Sequence, residues 1–114
     1  MRRIVVLAGA LALAACASKL TYDLGKAEDP CHAQNFTKKS DLAACLVAHE
    51  RPVWAADEPQ TLDLYDQYAA ARGNLAQQRD AGTLNEDQYE KQLSDLNADF
   101  RARIADRRAA EKSQ

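Results

Sequence analysis

Ala81-Gly82-Thr83-Leu84-Asn85-Glu86-Asp87-Gln88-Tyr89 is the stretch on which the fold turns. Gly82 suits the left-handed residue that closes a helix. Asn85 suits the N-cap of a following helix, and Gln88 completes a variant capping box with it. Leu84 and Tyr89 occupy the two positions of a hydrophobic staple. A stop signal followed at once by a start signal predicts two helices joined by a tight turn.

Reading back from the turn, Leu64, Tyr65, Tyr68, Ala71 and Leu75 recur at helical spacing, opposite a polar face of Asp63, Asp66, Gln67, Asn74 and Gln77. Pro59 fits a first helical turn, where its missing N–H costs nothing. The spacing predicts a helix over 59–81. Gly73 either weakens it by about 1 kcal/mol relative to alanine or permits a close helix contact. Reading forward, Tyr89, Leu93, Leu96, Phe100 and Ile104 form a single apolar stripe and predict a helix over 86–111. Residues 57–114 are therefore expected to form a long antiparallel αα-hairpin, with arms about 35 to 40 Å long.

Over residues 75–93 the chain resembles the SHOCT, or short C-terminal domain, pattern: a helix, an Ala-Gly turn, a capped helix start and an aromatic residue. Ala81, Gly82, Leu84, Asn85 and Tyr89 carry the likeness, and Leu93 fits the next apolar position. The helix expected here runs well past the end of that pattern. The resemblance implies an oligomerisation or protein-interaction element rather than an active site.

Upstream, Ser40 is a plausible N-cap, Asp41 suits a first turn, and Leu42, Cys45, Leu46 and His49 share one side. This predicts a short helix over 40–49, ended by Pro52 because a residue before proline avoids the helical region. Residues 53–56 read as an apolar link, with Trp54 covering the joint. Residues 17–30 are polar, hold Gly25 and show no clear period, so 16–30 reads as a flexible tether spanning about 20 Å. The alternation of Leu20, Tyr22 and Leu24 leaves open a short strand-like segment instead. The expected fold is all-α: a tether, a short helical segment in 31–56, and the hairpin.

Met1-Arg2-Arg3 followed by the apolar run 4–15 has the layout of a secretory signal, and the run falls short of the roughly 20 residues a bilayer span needs. Leu13-Ala14-Ala15-Cys16 resembles the lipobox of bacterial lipoproteins. The resemblance implies removal of residues 1–15 by cleavage between Ala15 and Cys16. It also implies acylation of Cys16 and anchorage in membrane lipid. Each buried methylene contributes about 0.8 kcal/mol to such an anchor. Ala17, where an aspartate would favour the inner membrane, points to the outer membrane, facing the periplasm. Ala15-Cys16-Ala17 also reads as an ordinary cleavage site, which would release a soluble periplasmic helical protein.

With Cys16 acylated, Cys31 and Cys45 remain. An even remainder in an exported chain predicts a disulfide, joining the end of the tether to the short helix. The alternative is a zinc site of Cys31, His32, Cys45 and His49, since Cys45 and His49 lie one helical turn apart and zinc accepts such a set.

Loss of Arg2 and Arg3 takes the formal charge from −2 to −4, which gives no support to a nucleic-acid-binding surface. The hairpin is acidic until its end, where Arg101, Arg103, Arg107, Arg108 and Lys112 cluster. Those arginines, with Tyr65, Tyr68, Tyr89 and Phe100, are the candidate interaction residues. The chain has no HExxH, nucleophile-elbow, phosphate-loop or dinucleotide motif. The expected role is therefore non-enzymatic and without a cofactor: a structural or protein-interaction subunit of the envelope, binding another envelope protein or a second copy. A zinc or small-ligand binder is the alternative. Contact with peptidoglycan would be non-covalent, because Lys112 precedes Ser113 and Gln114 rather than ending the chain.

Overall fold

The computed structural model describes residues 19–113. The segment read as a leader, with Ala15 and Cys16, lies outside the described residues. The architecture is all-α, with no strand among the described residues. Among the described residues, helix α1 covers 19–32. It is followed by α2 (Lys39–Asp57), a 3₁₀ turn (Pro59–Thr61), α3 (Leu62–Asp80) and α4 (Glu86–Lys112).

Successive helices run antiparallel, as their cross-links show. Lys19 reaches Asp57 at 3.1 Å and Cys31 bonds Cys45, which pairs the start of α1 with the end of α2. Arg51 pairs with Asp66, and Asp80 meets the start of α2. Arg107 pairs with Asp63 and Arg79 with Glu86. Helix α3 is packed on both sides. Its Tyr65, Ala69, Arg72 and Ala76 lie toward α2, while Ala71 and Leu75 share a groove with Leu96 of α4. The core is Trp54, Leu64, Tyr65, Ala69 and Ile104, flanked by Leu20, Leu24, Val47, Leu62, Tyr68 and Phe100.

Three expectations are corrected. Residues 19–30 are helical, neither a flexible tether nor a strand. The reason lies in Leu20, Leu24, Ala27 and Cys31, which follow a helical period and turn inward together, leaving Tyr22 outside. Helix α2 does not stop before Pro52 but continues to Asp57, so 53–56 is helix rather than a link. Pro52 removes one helix hydrogen bond on an exposed face, where Ala48 also lies, and burial of Trp54 one half-turn on favours continuing the helix. Finally, Ser40 is not the N-cap. Lys38 holds that position and caps nothing. The carboxylate of Asp80, from the far end of α3, accepts hydrogen bonds from the backbone of Lys39 (2.8 Å) and Ser40 (3.0 Å) and from the Ser40 hydroxyl.

The turn at 81–85 forms as its residues dictate. Gly82 has φ +80°, the region that excludes most side chains. Thr83 donates to the Gln78 carbonyl and Gly82 to that of Arg79, which is the Schellman closure. Asn85 Oδ1 accepts from the Gln88 backbone at 2.8 Å, and Gln88 Oε1 accepts from the Asn85 backbone at 2.9 Å. Leu84 and Tyr89 on either side of this cap are buried. No described helix is long and apolar enough to cross a membrane.

Candidate functional site

Cys31 lies near the end of α1 and Cys45 in the second turn of α2, and their sulfurs are bonded, with Cα atoms 5.8 Å apart. Cys31 is fully buried. His49, one turn beyond Cys45, donates from Nδ1 to the Cys45 carbonyl at 2.9 Å, and the same nitrogen lies 3.6 Å from the Cys31 sulfur. Cys31, Cys45 and His49 therefore converge. His32 does not join them. Adjacent residues on a helix point roughly 100° apart, and His32 instead places Nε2 3.6 Å from Glu28. The four-ligand zinc set is thus not assembled, and both sulfurs are spent on each other rather than present as thiolates.

A second cluster lies between the helices, and the sequence reading did not find it. Glu50 of α2 is buried and accepts from Arg72 Nη2 at 2.8 Å and from the Tyr65 hydroxyl at 2.9 Å. Burial works to raise the Glu50 carboxyl, but hydrogen bonds with Glu28, Arg72 and Tyr65 outweigh it and hold it below the usual carboxylate range. Its neighbour Glu28, on α1, is pushed up to about 7, first by the hydrogen bond shared with Glu50 and then by burial. The two carboxyls thus share one proton at mildly acidic pH and lose it as pH rises through about 7. Burial also raises the Tyr65 and Tyr68 phenols. Arg72 lies over the Tyr68 ring at 5.0 Å, and its Nε has no hydrogen-bond partner among the described residues. Glu50, Tyr65, Tyr68 and Arg72 border a cleft of about 240 Å³ that Leu24, Trp54, Phe100 and Arg101 also line.

The candidate interaction residues separate into two groups: the four aromatics face inward and the four arginines lie at the surface. Tyr65 and Tyr89 are buried. Phe100 stacks on Tyr68 at 4.5 Å and meets Trp54 edge-on at 5.5 Å, and the Tyr68 hydroxyl donates to Asn97 at 2.7 Å. These aromatics are core, because a domain with so few branched aliphatic residues has little else to bury. Arg107 grips Asp63 with two bonds and Arg108 grips Glu58 with two, closing α4 onto the 58–63 corner. Arg103 pairs with Asp99 and reaches Gln67. Arg101 has no ion pair among the described residues and borders the cleft. Of the residues that reading missed, Arg72 carried a signal: it falls in phase with Tyr65, Ala69 and Ala76. Glu28, Glu50, Asn97 and Asp80 find their partners across helices, and no local spacing encodes that.

A shallow groove of about 400 Å³ runs between α3 and α4, with Ala71, Leu75 and Leu96 as its apolar floor and Asn74, Gln78 and Asp95 at its rim. Comparison with protein-family models, curated proteins and solved structures found no match.

Proposed function

We propose that the protein is a small, non-enzymatic cell-envelope lipoprotein. In this reading it is held by acylated Cys16 in the outer membrane, facing the periplasm, and serves as a protein-interaction or structural accessory subunit. The observation that carries the reading is the Cys31–Cys45 disulfide, a bond that persists in oxidising compartments such as the periplasm. It supports the export implied by the leader and by Leu13-Ala14-Ala15-Cys16.

The interaction role takes its support from the α3–α4 groove. Leu75 and Leu96 are only half-buried there, beneath a polar rim, which suits an apolar side of another helix rather than a small polar substrate. The aromatic residues of the hairpin serve the interior, so the groove and the acidic outer faces of α3 and α4 are the surfaces offered to a partner. Mass spectrometry of the membrane-extracted protein tests the anchor: the expected mass is that of residues 16–114 plus two or three acyl chains. Mild crosslinking in whole cells followed by capture tests the role. Enrichment of one envelope protein, or of a dimer, is expected, with loss of the adduct in Leu96→Glu. Recovery of monomer alone from both variants would refute an interaction subunit.

A further inference from the structure

The structure moves the folded part of the chain much closer to the anchor than a tethered domain would sit. Lys19 is already helical, so only Ala17 and Ser18 separate it from Cys16. Fully extended, that stretch reaches about 10 Å. Helix α3 alone is about 28 Å long, so the anchor cannot reach from one end of the bundle to the other.

The end that holds Lys19 is well defined. Lys19 bridges to Asp57 at 3.1 Å. Arg107 donates to the Gln60 carbonyl at 2.9 Å, and Arg108 clasps Glu58. The start of α1, the 57–61 corner and the last turns of α4 therefore lie together. The opposite end is the 33–38 loop and the 81–85 turn, joined by Asp80 and the start of α2. The charges at the anchor end are largely matched against each other, which leaves no strong field to draw the protein to anionic lipid. An independent feature marks the same end. Tyr22, one turn beyond Lys19, is the large hydrophobic side chain that α1 leaves in solvent, 61% exposed, with the Lys26 ammonium 5.0 Å above its ring. A tyrosine that places an apolar ring and a hydroxyl outward suits the level of lipid headgroups.

We infer that the end of the bundle built by α1's first turns, the 57–61 corner and the C-terminus of α4 is a membrane-apposed surface. Its partner is the lipid headgroup layer, and Tyr22 sits at the interface. The 33–38 loop and the 81–85 turn face away, toward the periplasm. This rests on the acylation of Cys16 proposed above.

The test uses the full-length, membrane-extracted protein in vesicles of phosphatidylethanolamine and phosphatidylglycerol carrying a headgroup spin label. Tyr22→Trp and Thr83→Trp each add one indole at an exposed position, and buried Trp54 supplies a common background measured in the wild type. The added emission of Tyr22→Trp is expected to be quenched roughly twofold or more, as befits an interfacial aromatic residue, and that of Thr83→Trp to be unchanged. Equal quenching at both positions, or none at either, in protein whose mass includes acyl chains overturns the apposed surface and leaves the lipoprotein reading standing. A mass equal to the bare polypeptide overturns both.

Discussion

Glu28 and Glu50 form a carboxyl pair whose proton has consequences for stability. Glu28 is raised to about 7 in the folded chain, above its ordinary value, so folding favours its protonated form. The stability it contributes is present at acidic pH and is lost as pH rises through about 7. Glu50 is lowered, so its own contribution is lost only as pH falls below the ordinary carboxylate range. Stability should therefore be greatest at mildly acidic pH and decline by about 1 kcal/mol toward pH 8, once solvent screening around half-buried Glu28 is allowed for. Glu28→Gln keeps a hydrogen-bond donor toward Glu50 without a titrating proton. Denaturant unfolding of this variant should show the decline removed and stability at pH 8 raised by a similar amount. None of this pairing was legible in the sequence, where Glu28 and Glu50 are merely two acids among many. The cysteines were legible because an even remainder in a chain expected to be exported points to a disulfide. The aromatics were legible as important but not as to side: spacing shows that Tyr65, Tyr68, Tyr89 and Phe100 share a stripe, and only packing shows that the stripe is spent on the core.

At the level of elements, the 81–85 turn was readable because its signals are local: a glycine at positive φ and a reciprocal cap four residues long involve no distant partner. Helix α4 followed from its stripe for the same reason. Helix α1 was hidden because Gly25 and Tyr22 interrupt an inward line that only Leu20, Leu24, Ala27 and Cys31 reveal. The start of α2 was misread because its cap, Asp80, is supplied from forty residues away. That arrangement predicts a particular sensitivity. Asp80 sits at the C-terminal end of α3, where its charge opposes that helix's own dipole. Its low pKa comes from the Ser40 hydroxyl and backbone instead. Asp80→Ala should lower stability and accelerate hydrogen exchange in the first turn of α2 rather than in α3. A purely local role in α3 would show the reverse. Gly73 gives the opposite sign. Nothing lies within 4 Å of the position a Cβ would take, so the alternative of a close helix contact does not hold. Gly73→Ala should stabilise the protein by about 0.5 to 1 kcal/mol in denaturant unfolding.

For the molecule as a whole, α1 is the closing piece, and the disulfide is a large part of its hold on the bundle. It covers the core with Leu20 and Leu24, which are only half-buried, and it brings Glu28 to a carboxyl that repels it once both are charged. Against those modest contacts stands the disulfide, which ties α1 to α2 across a separation of 14 residues. A loop of that size corresponds to about 3 kcal/mol in the chain-entropy model, a large fraction of the 5 to 15 kcal/mol typical of a domain. Helices α2 to α4, by contrast, share the aromatic core, the Glu50–Arg72 pair and the arginine clasps at Glu58 and Asp63. Reduction should therefore release α1 while the other three helices persist. Hydrogen exchange of the reduced protein should show amides of 20–31 exchanging about 100-fold faster, as 3 kcal/mol implies, with 64–76 and 89–104 much less affected. The emission of Trp54 should shift to longer wavelength as its cover departs. The effect should be larger at pH 8 than at pH 6, because charging Glu28 acts on the same helix. Loss of protection in all four helices together would mean that α1 belongs to a single cooperative unit, and that its two half-buried leucines matter more than the crosslink.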